Sequence, residues 1–196
     1  MKQNSWITMF VFALGLSLMY ACGGGLKEDE EGKVGRVELK SRIKEMEDSI
    51  RDLQANLPQT KTIPNLTHFE LINRLLDYYH AYPEDDYAAE CLDKVHMKYS
   101  GMNISERAVQ YADILLEKYP NYVNRALVIE SQIGSYDVSI QPRDTAKVRY
   151  YYNLLLKENP KMPKEKKLEI QDRLAHLDMT LFEYVDYKMK TVQLPD

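Results

Sequence analysis

Cysteine and histidine are scarce in this chain of 196 residues, and the few that occur are widely spaced. The two cysteines, Cys22 and Cys91, do not form a paired motif, and the four histidines lie 12, 16 and 80 residues apart. The sequence also lacks HExxH, GxSxG, P-loop and GxGxxG motifs, which mark zinc, nucleophile and nucleotide sites. We therefore expect no metal, no other cofactor and no enzymatic activity.

Basic residues are also fewer than acidic residues. The chain has 26 lysines and arginines against 30 aspartates and glutamates, a formal net charge of −4. Affinity for nucleic acid depends on neutralising phosphates with basic side chains. The composition therefore excludes nucleic acid as an expected partner.

Long hydrophobic runs are missing, apart from residues 6–20 near the N-terminus. This run follows Lys2 and is shorter than the roughly 20 residues that a membrane span requires, so residues 1–21 are predicted to be a secretory signal. The Ala21-Cys22-Gly23 sequence at its end resembles the cleavage site of bacterial lipoproteins. The resemblance implies acyl chains such as palmitate on Cys22, which would hold the protein at a bilayer. A secreted protein with an incidental cysteine is the alternative.

The segment after Cys22 reads GGGLKEDEEGKVG and has little apolar side chain to bury. Residues 22–36 are therefore predicted to be a lipidated flexible tether. Gly23, rather than Asp, after the cysteine implies sorting to the outer membrane by the same resemblance. Lys27 and the acidic residues after it resemble a surface-export signal, but a solvated spacer is the preferred interpretation. We expect the periplasmic face of the outer membrane rather than the cell surface.

Residues 37–57 show an apolar period of 3.5 residues, typical of a coiled coil. The stripe consists of Leu39, Ile43, Met46, Ile50, Leu53 and Leu57. Two interpretations stay open: the helix pairs with a second copy to form a homodimer, or it folds back on its own chain. Pro58 and Pro64 then place a linker at residues 58–66.

Residues 89–120 contain two amphipathic helices with the landmark spacing of a 34-residue repeat. Tyr99, Ala108 and Pro120 match the expected residue types, and the endings before Pro83, Pro120 and Pro160 resemble one another. This pattern resembles the tetratricopeptide repeat (TPR) family. It predicts an all-α, TPR-like helical solenoid of about two and a half repeats over residues 67–178, closed by a capping helix and tail at residues 179–196.

The long loop after each proline resembles the envelope branch of TPR proteins. That branch includes the outer-membrane lipoprotein of the β-barrel assembly machine and the Tol-Pal-associated coiled-coil-plus-TPR protein. TPR proteins use the inner face of each first helix to hold a peptide or partner helix. By register this face carries Glu90, Asp93, Met97 and Ser100, followed by Leu127, Glu130, Gly134 and Asp137. The resemblance thus implies a basic or polar partner segment, although solvated helix positions are an equal alternative.

Two functions of different classes follow from these expectations. The first is a non-catalytic scaffold, anchored in the outer membrane, that binds another envelope protein or peptide segment. The alternative is a structural coiled-coil spacer, or an accessory subunit of an outer-membrane assembly complex. Cys91, which lies beside Ala88, Ala89 and Leu92 on the predicted helix, is expected to be a small buried hydrophobe rather than a reactive thiol.

Overall fold

The computed structural model describes residues 35–58 and 60–192. The predicted signal, Cys22 and nearly all of the predicted tether lie outside the described residues. Within those ranges every regular element is helical, so the predicted all-α class is confirmed for this part of the chain. The eight α-helices described are α1 Arg36–Asn56, α2 Asn65–Ala81, α3 Asp86–Gly101, α4 Ser105–Lys118, α5 Arg125–Gly134, α6 Thr145–Glu158, α7 Lys164–Ala175 and α8 Leu181–Val192.

Consecutive helices pack against one another from α1 to α7. Helix α1 also contacts α3, where Lys94 bonds Glu47 at 2.9 Å, and α5 contacts α7, where Lys166 bonds Glu130 at 2.5 Å. Helix α2 contacts α4, where Tyr79 accepts a hydrogen bond from Lys118. The chain therefore forms helical hairpins arranged side by side.

The apolar stripe of α1 packs on α2 of the same chain. Ile43 is fully buried, Leu39 and Ile50 are nearly so, and all three join a core cluster with α2 and α3. Leu53 departs from the stripe and is 45% exposed. Two interpretations of residues 37–57 were open, and the structure agrees with the one in which the helix folds back on its own chain. While α1 holds this position, its buried positions cannot line a seam with another copy.

Three helices end in the same way before a proline. Tyr82, Tyr119 and Asn159 leave the helical region, with φ between −135° and −118° and ψ between 61° and 73°. Each backbone N–H still donates to the carbonyl four residues earlier. Proline disfavours the α conformation of the residue before it, which explains the common stop. The similar endings seen in the sequence therefore correspond to a shared local geometry.

The third hairpin differs from the others by an insertion. After α5, Ser135–Ser139 form a turn of π-helix, and a cis peptide bond joins Gln141 to Pro142. Asp144 then caps α6, because its side chain accepts a hydrogen bond from the backbone N–H of Lys147 at 2.9 Å. The insertion accounts for the longer spacing between Pro120 and Pro160.

The C-terminal helix α8 begins with a capping box. The backbone N–H of Thr180 donates to the Glu183 carboxylate at 2.7 Å, and the N–H of Glu183 donates back to the Thr180 hydroxyl at 3.3 Å. The two reciprocal bonds satisfy donors at the start of the helix. Among the described helices, none has the length and hydropathy needed to cross a membrane.

Candidate functional site

A groove of about 1090 Å³ runs along the outer face of α3. Its floor is α3, and its sides are the start of α1 and the loop that joins α4 to α5. We call it the α3 groove and define it by Tyr87, Glu90, Asp93, Met97, Tyr122 and Val123.

The local sequence of α3 explains why these side chains face outward. Asp85 caps the helix by accepting a hydrogen bond from the Tyr87 backbone N–H at 2.8 Å. One stripe of small and aliphatic residues is buried, namely Ala88, Ala89, Cys91, Leu92 and Val95. Glu90 and Met97 fall on the opposite stripe because a helix turns every 3.6 residues. The groove therefore follows directly from the amphipathic pattern of α3.

Apolar side chains are unusually exposed at this site. Met97 is 60% exposed, and Val123, in the loop after α4, is 87% exposed. The rings of Tyr87 and Tyr122 lie between them and the protein core as half-buried walls. A mixture of exposed apolar atoms and aromatic walls is the composition that binding surfaces share.

Two of the three lysines that line the groove have acidic partners, and the third, Lys118, donates to the Tyr79 hydroxyl. Lys94 bonds both Glu47 and Glu90 at 2.9 Å, and Lys40 lies 3.7 Å from Asp85. The two acidic partners hold the pKa of Lys94 above its ordinary value, although burial opposes them. Asp86 is exposed and has no ion pair within 4 Å among the described residues. Asp86 is therefore the carboxylate of the groove that is available to an incoming cation.

Two tyrosine hydroxyls of the groove stay protonated. The Tyr122 hydroxyl donates to the Asp93 carboxylate at 2.8 Å. Burial, and then this bond to Asp93, raises the pKa of Tyr122 to about 12, and burial raises that of Tyr87 to about 12. Both phenols are therefore protonated at neutral pH, which leaves negative charge in the groove to the carboxylates.

The structure brings three of the predicted partner-binding residues together in the α3 groove: Glu90, Asp93 and Met97. Ser100 is exposed on the same helix face, one turn beyond Met97. Leu127 is exposed on α5, and Glu130 of α5 pairs with Lys166 of α7. Gly134 is exposed at the end of α5. None of these three positions on α5 lines the α3 groove.

The helical register predicts that Asp137 is exposed on the same helix face as Leu127, Glu130 and Gly134. The structure contradicts this prediction. Its side chain is buried, with a relative exposure of 5%, and it bonds the guanidinium groups of Arg143 and Arg173. The prediction assumed a straight α-helix through Asp137. The π turn at Ser135–Ser139 adds a residue to the turn and rotates the following side chains, so Asp137 faces inward.

Tyr87, Tyr122 and Val123 belong to the groove but were not predicted from the sequence. The prediction considered only the inner face of the first helix of each repeat, so it left out Tyr87 and the loop after Pro120. The signal present in that loop was the YPNYVN sequence, in which two aromatic residues and a valine occur beside a proline with no helix to bury them.

A second polar cluster lies between α4, α5 and α6. Asp113 accepts hydrogen bonds from Gln132 and from the hydroxyls of Tyr136 and Tyr151, and Lys147 lies 3.5 Å from it. Burial, aided by Asp113, raises the pKa values of both tyrosines above the ordinary range. Their hydroxyls therefore stay protonated at neutral pH and donate to Asp113. The cluster joins three helices rather than presenting a reactive group.

No group of three or more His, Cys, Asp or Glu side chains suited to a metal ion occurs among residues 35–58 and 60–192. Cys91, as expected, is buried. Burial raises the pKa of its thiol to about 12. No family model, curated protein or solved structure matches the chain.

Proposed function

We propose that this protein is a non-catalytic scaffold with TPR-like repeats that holds a segment of another envelope protein in the α3 groove. A lipid on Cys22 would anchor it in the outer membrane, with the repeats on the periplasmic side. Support for the repeat assignment comes from the helical hairpins and from the shared stop geometry at Tyr82, Tyr119 and Asn159. Support for the anchor comes from the sequence around Cys22 alone.

The observation that carries the binding proposal is the combination of exposed apolar atoms and partly unpaired carboxylates on one helix face. Met97 and Val123 supply apolar contact area, while Asp86, Glu90 and Asp93 supply negative charge. A segment with a lysine or arginine close to an apolar residue would complement both. Such exposed charge pairs contribute modestly to affinity, so a weak complex is expected.

Crosslinking in cells tests the groove. A photo-crosslinking amino acid replaces Met97 in the full-length protein, and the control carries it at Tyr150, which is 56% exposed on α6. We expect a crosslinked partner band from position 97 only. Equal bands from both positions, or none from position 97, would contradict the proposal.

Charge reversal then tests whether the carboxylates contribute. Asp86→Lys combined with Glu90→Lys changes two exposed groove positions, and Glu106→Lys combined with Glu117→Lys makes the same charge change on exposed positions of α4. We expect the groove variant to reduce the band from position 97 about tenfold while the α4 variant leaves it unchanged. Identical bands would show that the acidic side chains do not select the partner.

Cell fractionation tests the anchor independently of the groove. Cys22→Ala removes the thiol to which a lipid would attach, so the variant should move from the membrane fraction to the soluble fraction. Cys91→Ala, at a buried position, is the matched control and should stay in the membrane fraction. A Cys22→Ala protein that remains in the membrane fraction would overturn the proposed lipid anchor.

A further inference from the structure

A second cavity, of about 740 Å³, adjoins the α3 groove at the C-terminal end of α3. Met97 lines both cavities, so they meet at this side chain. We call the second one the linker cavity and define it by Leu57, Lys61, Ile63, Lys98 and Met102. The two cavities together follow α3 from Asp86 to Gly101.

The two cavities carry opposite charges. The α3 groove is lined by the carboxylates of Asp85, Asp86, Glu90 and Asp93, and its lysines interact with other side chains of the protein. The linker cavity is lined by Lys61 and Lys98, and no Asp or Glu of the described residues lines it. A segment that lies along α3 would therefore pass from an acidic surface to a basic one.

Charged groups at both ends of this surface are available to a partner. Asp86, in the first turn of α3, is exposed, as is Lys61 in the linker. Lys98 is half-buried near the end of α3. None of the three has an ion pair within 4 Å among residues 35–58 and 60–192. Opposite charges across an interface give specificity, so the matching partner is basic at the Asp86 end and acidic at the Lys61 end.

The length of α3 sets the spacing of the two charges in the partner. Asp86 and Lys98 are 12 positions apart in the helix, which corresponds to about 18 Å at a rise of about 1.5 Å per residue. An extended chain advances about 3.3 Å per residue, so two of its side chains about five positions apart span the same distance. Met97, which is 60% exposed, lies between the two ends and offers an apolar contact.

We propose that the segment held in the α3 groove continues into the linker cavity and carries two opposite charges about five residues apart. Its basic residue lies beside Asp86, its acidic residue lies beside Lys61 and Lys98, and an apolar residue between them contacts Met97. The inference rests on the function proposed above and adds the charge pattern of the partner. A segment confined to the α3 groove would need only the basic residue.

Fluorescence anisotropy with four labelled peptides tests the charge pattern on the unaltered sequence. Both core clusters lie within the described residues, so a chain of residues 23–196 keeps both clusters and lacks the proposed lipid site. The peptides have eight residues, blocked ends and the same two central leucines. They differ only at two positions five residues apart, which hold lysine and glutamate, lysine and glutamine, glutamine and glutamate, or two glutamines.

The lysine–glutamate peptide should bind most tightly of the four. We expect its affinity at low salt to be about threefold higher than that of either singly charged peptide and about tenfold higher than that of the neutral one. The formal net charge of −4 by itself would favour the lysine–glutamine peptide, so the expected order cannot arise from net charge. Equal affinity of the lysine–glutamate peptide and either singly charged peptide, or no saturable binding of the former, would overturn the proposal.

Charge reversal in the linker cavity should change which peptide is preferred. We expect Lys61→Glu combined with Lys98→Glu to bind the lysine–glutamate peptide about tenfold more weakly and to prefer a peptide with two lysines. Arg149→Glu combined with Lys157→Glu makes the same charge change at exposed positions of α6 and should keep the original preference. A linker-cavity variant that still prefers the lysine–glutamate peptide, with circular dichroism showing an intact fold, would overturn the proposal. If the variant does not fold, the four peptides on the unaltered sequence decide.

Crosslinking from position 97 in cells separates this inference from the proposed function. We expect Lys61→Glu combined with Lys98→Glu to weaken the band from position 97 about tenfold. A band that the charge reversal leaves unchanged would overturn the acidic contact and leave the proposed function standing. No band from position 97 in the otherwise unaltered protein would contradict the proposed function, and the peptides would still decide whether the two cavities select this charge pattern.

Discussion

Asp137 and Arg173 form a buried ion pair across 36 residues of sequence, with 3.0 Å between Oδ2 and Nη2. Asp137 lies in the π turn after α5, and Arg173 lies near the end of α7. Arg143 joins the pair and donates to the Leu177 carbonyl at 3.0 Å. The three side chains therefore connect the inserted segment of the third hairpin to the C-terminal part of the protein.

Removing the Asp137 carboxylate should destabilise the protein strongly. Asp137→Ala leaves two buried guanidinium groups without their shared carboxylate, and we expect the free energy of unfolding to fall by about 3–5 kcal/mol. Urea denaturation followed by circular dichroism measures it. Asp186→Ala breaks an exposed pair with Lys190 and should cost less than about 1 kcal/mol. Similar losses in both variants would show that burial does not govern the strength of the Asp137 cluster.

The position of α1 on its own chain predicts unequal effects along its apolar stripe. Ile43→Ala creates a cavity in the core and should lower the free energy of unfolding by about 2–5 kcal/mol, whereas Leu53→Ala should cost less than about 1 kcal/mol. Urea unfolding at several protein concentrations measures both effects. For a helix packed within its own chain, the midpoint should not depend on concentration.

A coiled coil between two copies predicts the opposite result in the same experiment. Both Ile43 and Leu53 would then lie in the seam, so both substitutions would destabilise the protein. The unfolding midpoint would also rise with protein concentration, because association stabilises the folded state by mass action. Either finding would contradict the intramolecular packing of α1.

Cys91 should be inert towards thiol reagents in the folded protein. Burial raises the pKa of its thiol to about 12, so the thiolate fraction at pH 8 is about a thousandfold lower than that of an exposed cysteine. Ellman's reagent on residues 23–196 should react with Cys91 only after unfolding in urea. Val123→Cys in a Cys91→Ala background is the exposed control and should react rapidly. Reaction of native Cys91 at the rate of the control would contradict its burial.

His96 should make the protein less stable in mild acid. Burial lowers its pKa below the ordinary 6.5, although Asp93 at 3.7 Å opposes the shift. Below pH 6.5 the unfolded chain therefore binds more protons than the folded protein, so the free energy of unfolding falls as the pH decreases from 7 to 5. One such group contributes at most about 1.4 kcal/mol per pH unit.

Urea unfolding between pH 5 and 7 measures the contribution of His96. We expect His96→Gln to reduce the pH dependence, and His80→Gln, at an exposed position, to preserve the wild-type slope. His68 will retain part of the dependence in both variants, because burial lowers its pKa also. An unchanged slope in His96→Gln would show that the folded protein binds a proton at this position as readily as the unfolded chain.

The structural features that depend on neighbouring residues in the sequence could be predicted. The helix endings before Pro83, Pro120 and Pro160 could be recognised because a proline restricts the residue before it. The Asp144 cap and the burial of Cys91 also follow from near neighbours in the sequence. The period of residues 37–57 predicted an apolar stripe. It could not determine what covers that stripe, because a second copy and the chain's own α2 offer equivalent surfaces.

The candidate site was predicted where the helix is regular and missed where it is not. Glu90, Asp93 and Met97 share a face because α3 is an uninterrupted helix. Asp137 was misplaced because nothing in the local pattern marked the π turn in which it lies. Tyr122 and Val123 were missed because their place in the groove is set by tertiary packing of a loop, which short-range periodicity does not encode.

The start of α1 lies beside the α3 groove. The Arg36 guanidinium lies 3.3 Å from Asp85, which lines the groove, so the chain enters the folded part at the edge of this site. Cys22 precedes Gly35 by 13 residues, which span at most about 45 Å when fully extended. If Cys22 carries the proposed lipid, the length of the tether limits the distance between the α3 groove and the membrane. A partner would then have to present its binding segment within that distance of the bilayer surface.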